Sequence, residues 1–344
     1  MQILAMLWNK KGKKMAKIKL AVIGYGNIGR GVLEAIKKNS DMELACILSR
    51  SPDRVRAEIG ESYPIYASDD FEKLQGADVA ILCGGSKSDL PEQGPVYAQY
   101  IHTLDSYDNH SEAYAYYKTM DEAAKKTEHL SCISIGWDPG TFSVQRVLGN
   151  AFIPGAKTYG FYGTSEKGGL SMGHSDALRR IAGVLDARQY THAISESIEK
   201  VRRGENPSLK PGDMHWRECF VVAKEGADTA KIEEAIKTMP GYFAGYKTLV
   251  HFVSKEELET KHQGFPHDGL VIGAGTTGSG NSARIEYTNI WGSNSEATAS
   301  ILVAHARAVY RLAKEGKTGA ITALDIAPAY LSPQSREDLI KNFL

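Results

Sequence analysis

The chain has 344 residues, 42% of them hydrophobic and 24% charged, the balance of an ordinary globular protein long enough for two domains. Its 41 Lys plus Arg equal its 41 Asp plus Glu, which leaves no global positive field of the kind nucleic-acid binding requires. Neither a nucleic-acid nor a membrane partner is expected.

Residues 1–14, MQILAMLWNKKGKK, differ in character from the rest of the chain. Their apolar run is too short to cross a bilayer or to serve as a signal core, and Met15 opens the segment that behaves as a domain start. They are read as a disordered extension, and the protein as cytoplasmic.

From Lys17 onward, short apolar runs alternate with helical stretches, the pattern of a parallel α/β protein. KIKLAVIG is a buried strand that ends in a glycine loop, and Ile28, Val32 and Ile36 then recur at helical spacing. ELACILS (43–49) and DVAILCGG (78–85) are further strands. A helix follows with Pro91 in its first turn. HTLDSYD (102–108) and HLSCISIGWD (129–138) are two more strands, separated by the helix SEAYAYYKTMDEAAKK. Residues 15–138 thus make a complete dinucleotide-binding sheet.

After Pro139 the character changes. TYGFYGTSE, RQYTHAIS, WRECFVVA, KTLVHFVS, DGLVIGAG and ARIEYTNIW are strand-like, with few helices between them. Residues 139–294 are expected to form an α+β domain with a mixed or antiparallel sheet covered on one face. The small-residue-rich helix from 295 returns the chain to the first domain, and a tail helix near Ser335–Phe343 ends it. The four cysteines (Cys46, Cys83, Cys132, Cys219) lack CxxC spacing and read as reduced thiols, so no metal is expected.

Three constellations carry chemistry. In Gly24-Tyr25-Gly26-Asn27-Ile28-Gly29, GxGxxG directly follows a strand and opens a helix, the context a dinucleotide fingerprint needs. Its glycines permit the turn, the approach of a pyrophosphate and the packing of helix on strand, while the helix start offers N–H groups to the phosphates. The next strand ends Ser49-Arg50-Ser51, with no acid until Asp53. A carboxylate would repel a ribose 2′-phosphate and a guanidinium would grip it, so NADP is favoured over NAD. Cys83, Gly84 and Gly85 end a third strand against the same ligand. Finally, Asp108 and Asp138 stand past the ends of late strands, where the ligand of an open α/β sheet lies. They suit a substrate ammonium, though strand-end aspartates equally cap helices and form turns.

VIGYGNIGR, LSRS, LPEQ, DSYDNH, GWDPG, GHSDALRRI, RRGE, CFVV and TMPGYFAGY, in this order, resemble the meso-diaminopimelate dehydrogenase family. The resemblance implies a homodimer with an N-terminal Rossmann-type domain and a separate substrate and dimerisation region. It also implies NADP-dependent, reversible oxidative deamination at the D-centre of meso-2,6-diaminopimelate. By that resemblance Asp108 and Asp138 contact the reacting D-amino-acid end, flanked by Trp137 and Phe142. Arg217, Thr191, His267 and Asn294 serve the distal L-centre, and the backbone at Met172 and Gly173 touches the substrate. The chain departs from the family in a longer loop GTSEKGGLSM, in Met172 where glutamine often occurs, and in Tyr162 where tryptophan occurs. Because these border the substrate cleft, they point to a wider D-amino-acid range. Among rivals, an aspartate-semialdehyde dehydrogenase needs an accessible nucleophilic cysteine, against the strand positions of Cys132 and Cys219. A dihydrodipicolinate reductase remains a related alternative. A non-catalytic NADP(H) sensor has no use for Asp108, Asp138 and Arg217.

Overall fold

The computed structural model describes residues 16–264 and 266–344; the extension read at residues 1–14 lies outside them. The chain forms two compact units. One runs to Val144 and takes in Ser295–Leu344, and the other is Gln145–Asn294.

The first unit is built on β1 (Ile18–Ile23), β2 (Met42–Ser49), β3 (Ile65–Ala67), β4 (Val79–Leu82), β5 (His102–Asp105) and β6 (Leu130–Cys132). With a late strand, Gly319–Ile321, they form an all-parallel sheet in the order Gly319–Ile321, β6, β5, β4, β1, β2, β3. Both faces are covered, which explains why β1 reads as a continuous apolar run rather than an alternation. Leu20 and Val22 pack with Val32, Ile36, Leu302 and Val303 on one face. Ala21 and Ile23 pack with Leu90, Tyr116 and Met120 on the other. The helix Asn294–Lys314 lies close to the helix Asn27–Lys38: a Cβ added at Gly31 would stand 2.8 Å from that of Ala299. Small residues on both helices permit that approach.

Two strands stop earlier than their sequence suggests. β5 ends at Asp105, not 108, because the Asp105 carboxylate takes the N–H of Tyr107 and bends the chain out of the ladder. β6 ends at Cys132, and Ser134 then adopts φ 58°. Asp108 and Asp138 therefore sit in loops beyond the strands rather than directly at their ends.

The second unit holds two sheets where the sequence suggests one. β8 (Gly169–Leu170), β9 (Val184–Ala193), β10 (His215–Ala223) and β11 (Thr248–Phe252) form a mixed sheet in the order β11-β10-β9-β8. β7 (Thr158–Tyr162), β12 (His267–Thr277) and β13 (Asn281–Trp291) form an antiparallel one, β13-β12-β7. Alternating polarity reads the same in either sheet, so it cannot tell which strand pairs with which. Helices Met172–Arg179 and Thr229–Lys237 cover Ala187, Cys219 and Val221 of the mixed sheet, and helix Ser195–Arg202 covers Phe161 and Ile272 of the other. Among the described residues no helix is long and apolar enough to cross a membrane.

Candidate functional site

At the point where the strand order reverses, β1 lies between β4 and β2, and an open α/β sheet binds its ligand beside such a reversal. The carbonyl of Leu48 accepts from Gly24 N–H and that of Ile23 from Cys83 N–H, each at 2.8 Å, which draws the three strand ends together. Gly24 has φ 91°, open to glycine, and a Cβ at Gly29 would stand 2.3 Å from the Gly24 carbonyl oxygen. At Gly26 a Cβ would meet nothing within 4 Å, so this side of the loop is open to a phosphate.

The cleft here is lined by Gly24, Tyr25, Gly26, Ser49, Arg50, Ser51, Cys83 and Gly84. Asn27 and Ile28 form the first helical turn instead, and Gly29 packs that turn against the strand. The N–H of Gly85 donates to the Asp89 carboxylate at 2.9 Å. Arg54, Ser68, Asp89 and Gln93 also line the cleft and were not evident from the sequence: Arg54 and Gln93 come from the helices Pro52–Ile59 and Leu90–Tyr97, Asp89 from the start of the latter, and Ser68 from the turn after β3. Arg50, with 70% of its side chain exposed, pairs with Asp89 at 3.1 Å. Arg54 donates to the Tyr25 carbonyl at 3.2 Å. Two guanidinium groups, three serines and an open glycine turn at a helix start fit a phosphorylated dinucleotide.

Two further loops of this unit carry the paired acids. Asp108 is exposed, with its N–H donating to Ser86 Oγ at 3.1 Å, and Asp138 is half-buried. Asp105, which sequence reasoning passed over, is fully buried and holds both loops. Its Oδ1 accepts from Tyr107 N–H at 2.9 Å and Ser134 N–H at 3.1 Å, and its Oδ2 accepts from the Tyr116 hydroxyl at 2.8 Å. Burial pushes its pKa up to about 6 against the pull of these donors. The ring of Trp137 lies 4.4 Å from that of Phe142, centroid to centroid. Phe142 is wholly enclosed and backs the indole.

In the second unit, one face of the mixed sheet turns from apolar to polar along its strands. Val221 pairs with Ala187, Cys219 with Gln189 and Arg217 with Thr191. Gln189, Thr191 and Arg217 are all buried. Arg217 Nη1 donates to Thr191 Oγ1, its guanidinium lies 4.3 Å from the Tyr246 ring centroid, and among the described residues its Nε has no hydrogen-bond partner. No carboxylate pairs with it among the described residues. Burial lowers its pKa from the usual range, which Tyr246 opposes. Beside it, His215 Nε2 accepts the Tyr162 N–H at 2.9 Å. Burial first, and then Arg217, pulls the His215 pKa down to about 3, so this imidazole is neutral. The Tyr162 ring lies 5.1 Å from that of His215 and 6.3 Å from that of His267.

Met172 and Gly173 open a helix capped by Ser171, whose N–H donates to the Gln189 carbonyl at 3.0 Å. Asn294 is half-buried at the start of the helix Asn294–Lys314, and among the described residues no side-chain hydrogen bond joins it to Thr191, Arg217 or His267. Gln189, His215 and Tyr246 escaped the sequence reading. His215 meets Tyr162 of the other sheet and Tyr246 meets Arg217, each from far along the chain, while Gln189 bonds Thr191 two residues on and is marked only by its burial. Burial pushes the thiols of Cys46 and Cys219 up to about 11 and about 12, which makes neither a nucleophile at neutral pH.

A dinucleotide cleft at the reversal of a parallel sheet, with a separate cluster of buried polar side chains in a second unit, defines a nicotinamide-dinucleotide oxidoreductase. Residues 136–291 match the model of the diaminopimelic acid dehydrogenase C-terminal domain. The sequence is 48% identical to the meso-diaminopimelate D-dehydrogenase of Ureibacillus thermosphaericus, over 96% of this chain and 100% of the relative. The chain belongs to the meso-diaminopimelate D-dehydrogenase family. The Corynebacterium glutamicum diaminopimelate dehydrogenase, solved in complex with diaminopimelate, superposes with a TM-score of 0.89 at 41% identity, over 96% of this chain and 100% of that one. An engineered D-amino acid dehydrogenase bound to NADP+ gives 0.84 at 40% identity, over the same shares.

Proposed function

We propose that this chain catalyses the reversible, NADP-dependent oxidative deamination of meso-2,6-diaminopimelate at its D-centre, giving L-2-amino-6-oxopimelate and ammonia. The product cyclises to tetrahydrodipicolinate, so the reverse direction feeds lysine and peptidoglycan precursor synthesis in the cytoplasm. Arg217 carries the reading. A buried guanidinium without a carboxylate of its own suits a ligand that brings one, and a substrate with a second, distal carboxylate does so.

In this reading Asp108 and Asp138 bind the ammonium of the D-centre and fix the orientation of its α-carbon, while Trp137, backed by Phe142, keeps water from it. Arg217 with Thr191 holds the distal carboxylate, and His267 and Asn294 complete the polar contacts there. Tyr162 and the backbone at Met172 and Gly173 border the chain of the substrate. The glycine loop Gly24–Gly29 takes the pyrophosphate, Arg50 with Ser49 and Ser51 takes the 2′-phosphate, and Cys83–Gly85 lies along the dinucleotide. When bound, NADP+ supplies the hydride acceptor. No side chain acts as a nucleophile. A homodimer is part of the reading. Ile290, 78% exposed on the edge strand β13, supports that strand as a surface for a second copy.

The test is absorbance of the reduced cofactor with NADP+ and meso-, LL-diaminopimelate and D-lysine in turn. Turnover is expected with the meso isomer, with far less from the LL isomer and from D-lysine, which lacks the distal carboxylate. No turnover of the meso isomer under alkaline conditions refutes the assignment.

A further inference from the structure

The loop between β7 and β8 is fastened to the second unit by one buried side chain. Asp268, the second residue of β12, is only 4% exposed. Its Oδ2 accepts from the Thr164 hydroxyl at 2.6 Å and from Ser165 N–H at 2.8 Å, and its Oδ1 from the Ser165 hydroxyl at 3.1 Å. Its carbonyl accepts from Gly163 N–H at 2.8 Å. The loop side chains 164–167 are otherwise exposed. The β7–β12 ladder is made by backbone groups and does not need this carboxylate.

What the loop presses against gives the clamp its meaning. A Cβ at Gly163 would stand 1.8 Å from the Thr191 carbonyl oxygen, and one at Gly169 would stand 2.4 Å from His267 Nδ1. Beyond Gly169, Leu170 N–H reaches the Pro266 carbonyl at 2.9 Å, and Ser171 then launches the turn that carries Met172 and Gly173. Loop 163–170 is thus wedged against Thr191 and His267, and it delivers Met172.

We propose that Asp268 is a positioning residue that sets the fit at the distal end of the substrate by holding loop 163–170 against Thr191 and His267. This rests on the reading of the second unit as the distal pocket. Asp268 touches no reacting atom. Its effect is on how tightly a molecule bearing a distal amino acid is gripped relative to one without it.

The experiment compares Asp268→Asn and the double replacement Thr164→Val/Ser165→Ala with the unmodified protein. The double replacement removes the two hydroxyl donors from an exposed loop and does not depend on the fold tolerating a change at a buried position. Steady-state rates are measured with NADP+ and meso-diaminopimelate or D-lysine, alongside hydrogen exchange of the 163–170 amides. In both variants KM for meso-diaminopimelate should rise about tenfold, with kcat and the KM for NADP+ within about threefold. The preference for meso-diaminopimelate over D-lysine should shrink, and the loop amides should exchange faster. Normal turnover by the unmodified protein with an unmoved KM in both variants overturns this proposal alone. So does an equal loss of kcat and of NADP+ affinity, which a purely structural role would give. Absent turnover by the unmodified protein overturns the functional reading and this proposal together.

Discussion

Oδ1 of Asp105 accepts the backbone N–H of Ser134 at 3.1 Å, a bond that ties the exit of β5 to the exit of β6. The same oxygen holds Tyr107, one residue before Asp108, and the Ser134 loop runs on to Trp137 and Asp138. One buried carboxylate therefore fixes the spacing of two acids that lie thirty positions apart (138 − 108) in sequence. An asparagine fits the space and its oxygen still takes the two N–H groups, but its NH2 faces the Tyr116 hydroxyl, which loses its acceptor. Asp105→Asn should lower kcat on the order of tenfold or more, because misplacing a substrate-orienting group is costly. It should also reduce stability by about 1–3 kcal/mol through the unmet donor. Kinetics together with urea unfolding checks both, and unchanged kcat with normal stability would remove Asp105 from this role.

Two buried groups make opposite contributions to acid stability. Asp105 has a folded pKa of about 6, above the unfolded value, so the folded state holds its proton longer and this group's contribution falls as pH rises from about 4 to 6. His215 is depressed to about 3, so the unfolded chain takes up a proton first and stability is lost as pH falls below about 6.5. Asp105→Asn should therefore steepen the rise of stability with pH between 4 and 6.5. His215→Gln, which keeps an acceptor for the Tyr162 N–H, should flatten it. Tm across that range separates the two, and parallel profiles in all three proteins would contradict the assignment.

The exposed pairing of Arg50 with Asp89 leaves the guanidinium exchangeable, since such surface pairs hold little energy. Arg50→Ala should raise the KM for NADP+ by about tenfold or more and that for NAD+ by no more than about threefold, because only the former loses a charge-assisted phosphate contact. The difference should narrow at high salt. Equal weakening of both cofactors would show that Arg50 does not read the 2′-phosphate.

How much of this was legible in the sequence depends on the range of the interaction. The glycine loop and Arg50 were readable because strand, turn and helix start lie within a few dozen residues and each residue type has a local cause. Gly29, for instance, must be glycine to clear the Gly24 carbonyl. Asp105 hid at the end of the short strand His102–Asp105, where an acid reads as a turn former, and its partners Tyr116 and Ser134 come from a helix and a neighbouring strand's exit. Arg217 was named only through resemblance. Its company, Gln189 and Tyr246, depends on β9, β10 and β11 lying side by side, and alternation along one strand does not specify that pairing. The partition of the second unit into two sheets was hidden for the same reason.

Arg217 offers a test in which stability and function move in opposite directions. Arg217 is 8% exposed, bonds Thr191 through Nη1, and has no partner for its Nε among the described residues. A buried charge without a counter-charge costs free energy that a similarly sized apolar side chain does not. Arg217→Met should therefore raise Tm, by the equivalent of about 1–2 kcal/mol, as expected where a binding site is held at the expense of stability. The same change should raise the KM for meso-diaminopimelate by about 10- to 100-fold, through loss of the carboxylate contact, with a smaller fall in kcat. Substrates without a distal carboxylate should be unaffected or improved, and NADP+ binding should not change. A lower Tm would mean that Thr191 and Tyr246 already compensate the charge. Collapse of NADP+ binding would place Arg217 at the wrong ligand.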